Sequence, residues 1–331
     1  MDSMGFAGDA AVSKMGRRLS VGFSLAMNEE EHRALLAEYG EYIYEFYFSP
    51  PLGPQFHTRP QDHQYFQQPG VEDTFWRVLE HAKTLGIKLC LVLNYIASSP
   101  RDMLAGAKFV HERVGFDSLV TLRKPDRTAK ALKDRYPDKP LWVSFNDGVD
   151  SAQYVDKIDR EVFSGIIPGR STLRNFPLFR YMKAHGYRVK FMLNTGCSFG
   201  CELCLCRNCY RPRAPVNEQV AALSNWDQRY ALQTLLPWEL HDHGYLDCPD
   251  LDLFKVCSRP SPYPYLRAVL ESYVFNKNEE MQTNGNITYS LWARGNILPP
   301  HFQELDYEKM TAVKRELWQN DACLSFSRPN G

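Results

Sequence analysis

The chain has 331 residues, with 39 Lys plus Arg against 39 Asp plus Glu, 44% hydrophobic and 24% charged residues. This balance excludes a globally basic nucleic-acid binder and a polybasic membrane-surface protein, and it describes a globular chain with a sizeable core rather than a disordered one. No apolar run is long enough to span a bilayer, and the opening MDSMGFAGDAAVSKMGRR lacks the continuous apolar stretch of a secretory leader, so a reducing, cytoplasmic location is expected.

Along the chain, strand and helix signals alternate. LSVGFSL (19–25) reads as a strand, and Asn28 caps a helix, NEEEHRALLAEYG, that ends on Gly40. EYIYEFYF (41–48) is aromatic and β-branched, a second strand, followed by a proline-rich loop carrying His57, Arg59 and His63. VEDTFWRVLEHAKTLG is the second helix, closed by Gly86. IKLCLVLNY (87–95) is a nearly continuous apolar run, as a strand buried on both faces should be, and SPRDMLAGAKFVHERVG is its helix.

The same alternation continues through FDSLVTL with PDRTAKALKDRYPD, PLWVSFN with SAQYVDKID, and EVFSGIIPGR with STLRNFPLFRYMKAHG, the last helix capped by Ser171 or Thr172 despite Pro177. YRVKFMLN (187–194) is a seventh strand. After a helical segment around Asn217–Leu236, LDLFKVCSR is an eighth, and SPYPYLRAVLESYVFN is the last helix. Eight such units in roughly 260 residues predict one (β/α)8 TIM-type barrel over 19–279, between a flexible N-terminus (1–18) and a C-terminal extension (280–331). The extension is expected to cover a barrel end or to mediate homo- or heterodimerisation.

Directly after the seventh strand, NTGCSFGCELCLCRNCYRPR holds Cys197, Cys201, Cys204, Cys206 and Cys209, five of the nine cysteines within thirteen residues. Free thiols at that density add little packing and invite oxidation, so metal binding is the economical reading. The spacings suit an iron-sulfur cluster or tetrahedral zinc, and spacing alone does not choose between them. Disulfides are the third reading and conflict with a reducing compartment. Barrel active sites lie on loops after the strands, so thiols at this position favour a reactive cluster over a structural zinc.

Other side chains at strand ends are expected to converge on the barrel mouth: Asn94, Tyr95, Ser144, Asn146, Arg170, Asn194 and Arg259. Arg170 and Arg259 suit a bidentate clamp on a carboxylate or phosphate, and His57 or His63 suits acid-base work; for each, a surface salt bridge or an exposed loop histidine is the plainer alternative. Lys255, flanked by apolar residues, needs a partner or a function. The expected catalytic set is His57, Arg170 and Arg259, with Asn94, Asn146 and Asn194 holding a cofactor. No nucleic acid and no membrane are expected as partners.

Several segments, in order, resemble the collagenase-like peptidase family, whose barrel members include oxygen-independent hydroxylases acting on tRNA, rRNA and the ubiquinone ring. They are KLCLVLNYIASSPRDM, DSLVTLRKPDRTAKALKDRYPDKPLWVSFN, SGIIPGRSTLRNF, KFMLNTGC and LDLFKVCSRPSPYPYLRAVLESYV. The resemblance spans about residues 87–275 and implies a 4Fe-4S cluster on four cysteines: Cys197, Cys204, Cys206 or Cys209, and Cys248 as a late ligand. The chain departs from the family in its compressed cysteines, in the added Cys201, and in Asn194-Thr195-Gly196 standing where a histidine-glycine pair is usual.

Cys197, Cys201 and Cys204 also form the C-x3-C-x2-C triad of radical S-adenosylmethionine enzymes, although those place the triad after their first barrel strand. The reading is therefore an iron-sulfur oxidoreductase that hydroxylates or otherwise oxidatively modifies a small molecule or peptide. The alternatives are a radical enzyme using S-adenosylmethionine and a zinc-stabilised barrel acting as a binding module. No Ser-His-Asp arrangement or HExxH motif supports peptidase chemistry.

Overall fold

The computed structural model describes residues 13–53, 56, 64–94, 99–123, 126–169, 172, 174–193, 235–256, 262–276 and 315. In chain order the elements are β1 (Leu19–Gly22), α1 (Glu29–Tyr39), β2 (Ile43–Phe48), α2 (Val71–Thr84), β3 (Lys88–Leu93), α3 (Pro100–Arg113), β4 (Ser118–Thr121) and α4 (Asp126–Arg135). They continue with β5 (Leu141–Val143), α5 (Ala152–Val155), β6 (Gly165–Ile166), α6 (Phe176–Ala184), β7 (Arg188–Met192), α7 (Pro237–Asp242), β8 (Leu253–Lys255) and α8 (Tyr263–Phe275). Each strand pairs in parallel with its sequence neighbours, and β8 pairs with β1, so the sheet closes in the order β1 to β8. This is the (β/α)8 barrel that the alternation predicts.

The helices start where local chemistry allows. Asn28 accepts from the Glu31 amide while the Glu31 carboxylate accepts from the Asn28 amide, a reciprocal pair that satisfies two donors at the start of α1. Ser99 and Asp102 do the same for α3, with Pro100 in the first turn.

The expected start of α6 at Ser171 or Thr172 is corrected. The helix begins at Phe176, the Asn175 carboxamide accepts from the Leu178 amide at 3.1 Å, and Pro177 falls in the first turn, where a missing N–H has no helical partner to lose. The helix expected up to Leu236 is also corrected at its end: Leu235 and Leu236 are non-helical and precede α7, and residues 217–234 lie outside the described residues.

Two apolar layers hold the barrel. The larger lies between the strands' outer faces and the helices, with Phe46, Phe75, Leu79, Phe179, Phe191, Phe254 and Tyr273 among its buried members. The smaller fills the barrel: Tyr47, Cys90, Val92, Val120, Trp142, Ile167, Met192 and Leu253. Trp142 occupies space that exists only because β6 carries Gly165 opposite it; a Cβ there would lie 2.3 Å from the indole ring. Among the described residues no helix is long and apolar enough to cross a membrane. Within the extension, only Arg315 is described, with its guanidinium 5.8 Å from the Trp238 ring centroid.

Candidate functional site at the barrel mouth

At the C-terminal ends of β3, β4 and β5 a polar rim is built. The Ser144 hydroxyl oxygen, 1% exposed, accepts from the Asn94 side-chain amide at 3.1 Å and from the Asn146 backbone amide at 3.2 Å. The second of these bonds caps a single 3-10 turn, Phe145–Asp147, which ends on Gly148 at φ +58, a left-handed conformation that glycine adopts without strain. The Asp147 carboxylate accepts from the Arg123 amide at 2.6 Å, tying the β4 loop to the β5 turn. Thr121 donates to the Leu93 carbonyl at 2.8 Å, and the Ser144 amide donates to the Thr121 carbonyl at the same distance. Side chains expected at strand ends thus meet on this side: Asn94 with Ser144 directly, Asn146 through its backbone.

Inside the barrel lie charges in a low-dielectric space. Lys190 on β7, 0% exposed, donates to the Glu45 carboxylate on β2, 1% exposed, across the interior. Ser20 on β1 donates to the same carboxylate oxygen at 2.6 Å. Burial alone would push Glu45 up, but the Lys190 ammonium, the Ser20 hydroxyl and the charge of Lys255 outweigh it and hold the carboxyl below its ordinary range. The Lys190 ammonium also lies 4.3 Å from the Trp142 ring centroid. Lys255 on β8 is 8% exposed, and its ammonium sits 3.8 Å from the centroid of the Tyr47 ring, whose hydroxyl donates to the Val256 carbonyl at 2.7 Å.

Of the expected cysteine ligands, Cys248 is described. It precedes β8 in a turn at the N-terminal end of the barrel, packed against the outer core. Its neighbours are tied to residues before β1: Arg18 donates to the Leu246 carbonyl at 2.9 Å, and Lys14 faces Asp247 at 3.6 Å. The length of β8 therefore separates Cys248 from the mouth, and burial pushes its thiol up, toward the protonated form that binds metal poorly. Cys90 is buried in the barrel interior, where desolvation and then the negative charge of Glu45 keep its thiol protonated. Among the described residues no group of three or more His, Cys, Asp or Glu side chains is arranged to hold a metal.

Cys197, Cys201, Cys204, Cys206, Cys209, His57, His63, Tyr95, Arg170, Asn194 and Arg259 lie outside the described residues. The points where the cysteine segment leaves and rejoins the barrel are described. β7 ends at Met192, and the Leu235 amide donates to the Leu193 carbonyl at 3.3 Å, so the excursion 194–234 departs and returns at one neck at the C-terminal end of β7. Around the neck, Tyr273 of α8 donates to the Leu235 carbonyl at 2.5 Å. The Glu239 carboxylate, 0% exposed, accepts from the Leu236 amide at 2.8 Å and from the Arg174 guanidinium at 2.7 Å.

Sequence reasoning missed Glu45, Lys190 and Ser20 as members of one interior cluster. A signal existed, since each polar residue interrupts an apolar strand, but β2 and β7 are not neighbours and only barrel closure brings the pair together.

No family model matches the chain, and no curated protein sequence is significantly similar to it. Among solved structures, it is similar to the U32 peptidase Mk0906 at 12% identity and TM-score 0.41, covering 59% of this chain and 73% of that one. It is also similar to the tryptophan synthase α-subunit of Pyrococcus furiosus at 14% identity and TM-score 0.41, covering 83% of this chain and 99% of that one. N-acetylneuraminate lyase from Mycoplasma synoviae aligns at 11% identity and TM-score 0.41, over 92% and 98% of the two chains.

Proposed function

We propose that the chain is an iron-sulfur enzyme of the barrel type that oxidatively modifies, by oxygen-independent hydroxylation, a small-molecule or peptide substrate in the cytoplasm. One observation carries the reading: five thiols within thirteen residues follow β7 directly, on an excursion whose two ends meet at the C-terminal face. That face is where barrel enzymes do chemistry, and thiolates are the donors iron-sulfur clusters require. The donor set fits a 4Fe-4S cluster on four of Cys197, Cys201, Cys204, Cys206 and Cys209. Cys248 is the least suited candidate because it sits beyond the opposite end of β8.

Bound there, the cluster supplies one-electron transfer. Hydroxylation with water would convert C–H to C–OH, releasing two protons to solvent and two electrons, which two equivalents of an external one-electron acceptor protein would take up. This chain's own residues would bind and orient: Asn94 and Ser144 offer neutral hydrogen-bonding groups at the mouth. The radical S-adenosylmethionine reading uses Cys197, Cys201 and Cys204 and is disfavoured by position, since six strand-helix units precede the triad.

The test is anaerobic purification with iron, sulfide and zinc counts and electron paramagnetic resonance, for the wild type and for single Ala variants of the five loop cysteines and of Cys248. About four irons, lost in four of the five loop variants and kept in the fifth and in Cys248→Ala, is the expected result. Zinc alone, with no colour after anaerobic reconstitution, would sink the proposal and leave a zinc-stabilised binding module. A spectral shift of the reduced protein on adding S-adenosylmethionine would move the assignment to the radical enzyme.

A further inference from the structure

The interior of such a barrel is ordinarily filled by layers of Val, Ile and Leu. Here one layer is reactive: Cys90 on β3, Lys190 on β7, Glu45 on β2 and Ser20 on β1 meet, with the thiol and the ammonium fully buried. The Lys190 Nζ lies 3.8 Å from the Cys90 Sγ and also donates to the Glu45 carboxylate. Because the sheet closes in the order β1 to β8, three strands separate β3 from β7 in either direction, so the amine and the thiol reach one another across the full width of the barrel. Cys248 packs against the outer core, so among the described residues no second thiol is within reach of Cys90. An oxidised cysteine sulfur condenses with a thiol or, where none is near, with a nitrogen. At Cys90 that nitrogen is the Lys190 amine.

We propose that Cys90 and Lys190 form a dioxygen-dependent covalent cross-link, Cys90 Sγ–O–Nζ Lys190, that locks β3 to β7 through the barrel interior. One dioxygen is consumed. The S–H bond and two of the ammonium N–H bonds break, one oxygen atom becomes the bridge through new S–O and O–N bonds, and the other leaves as water with two of the three protons. The third proton passes to Glu45, the acceptor that the ammonium already faces. Sulfur and nitrogen together give up four electrons, and dioxygen takes all four. The interior thereby exchanges an ion pair for neutral groups, the form that burial favours. Two equivalents of a dithiol return the thiol, the amine and water. Dioxygen is small and uncharged, so the apolar packing that bars ions admits it. Lys190 stands two residues before Met192, where β7 ends, so the lock sits beneath the point from which the thiol-bearing segment departs. None of this depends on the proposed cluster or reaction.

The test divides full-length protein, purified without oxygen, into anaerobic and air-exposed halves. Both are alkylated without reductant, digested with trypsin and mapped by mass spectrometry. Air-exposed wild type should yield residues 89–101 joined to 189–207, uncut at Lys190 and about 14 Da heavier than the two peptides together, for one oxygen gained and two hydrogens lost. Dithiothreitol should remove this species. It should be absent from the anaerobic half, from air-exposed Cys90→Ser, and from wild type aired in urea, where the two groups are apart.

No joined peptide in the aired wild type beyond the anaerobic half, recovery of Cys90 as a sulfinic acid or a disulfide in its place, or an equal yield from the urea-unfolded chain overturns the proposal. The anaerobic, aired and urea-treated samples are all wild type, so the result stands even should Cys90→Ser not fold.

Discussion

Replacing Lys190 with Met should invert the acid response of the protein. In the wild type, Glu45 is held below its ordinary carboxyl range by Lys190, Ser20 and Lys255 against the opposing effect of burial. A depressed carboxyl contributes stability that is present above its unfolded value of roughly 4.3 and is lost as pH falls through the lower folded value. Without the Lys190 ammonium, burial dominates and Glu45, 1% exposed, rises above its unfolded value. Its contribution is then present in acid and lost as pH rises through the new folded value.

Removing one partner of a buried pair costs about 3–5 kcal/mol at neutral pH. Lys255 still attracts Glu45, which puts Lys190→Met near the low end; Glu45→Gln removes the carboxylate that the buried Lys190 ammonium faces and belongs near the high end. The double variant should show a coupling of about 2–3 kcal/mol. Urea unfolding between pH 4 and 8, followed by far-ultraviolet circular dichroism, reads all of these quantities. A coupling below about 0.5 kcal/mol, or a Lys190→Met protein that still loses stability toward acid as the wild type does, would refute the reasoning.

Two further outcomes follow from buried polar groups. His32 stacks on Phe23 at 4.4 Å between centroids, and its two ring nitrogens meet the Asn28 carbonyl and the Ser24 amide, an arrangement that fixes the neutral ring. Burial lowers its pKa to about 4, so its contribution is complete above about pH 6.5 and lost as pH falls toward 4, about 3 kcal/mol in all. His32→Phe should flatten that part of the pH–stability curve in urea melts, and an unchanged slope would count against the assignment. Glu239→Gln removes the carboxylate facing the Arg174 guanidinium, 4% exposed, and should cost about 3 kcal/mol. Amide exchange at Leu235 should accelerate in that variant while exchange in β3 and β4 is unchanged; uniform acceleration would mean that the pair supports the whole barrel and not the neck.

Much of the barrel was legible because its elements carry local signals. Asn28 with Glu31, Ser99 with Pro100, and Gly86 at φ +69 each mark a boundary through groups within a few residues. Legibility failed where long-range packing decides. EVFSGIIPGR reads as a ten-residue strand, yet among the described residues the strand is Gly165–Ile166, with β5 and β7 on either side. The sequence points to Ser171 or Thr172 as the cap of a helix that contains Pro177, whereas the cap is Asn175 and the fixed geometry of Pro177 suits the first turn. At the mouth, Asn94 and Ser144 were readable as strand-end polar residues, but their contact spans fifty positions. The Glu45–Lys190 pair spans 145 and depends on closure of the sheet.

The neck at Leu193 and Leu235 has an evolutionary corollary. A chain excursion of about forty residues that begins and ends at one hydrogen bond adds only a logarithmic closure entropy, so doubling its length would cost about 0.6 kcal/mol more. The pairing of β7 with β8 is set by Lys190, Phe191 and Met192, all before the neck. The thiol-bearing segment is thus a graft: its length and cysteine spacing can diversify among descendants of this chain while the sheet beneath keeps its register.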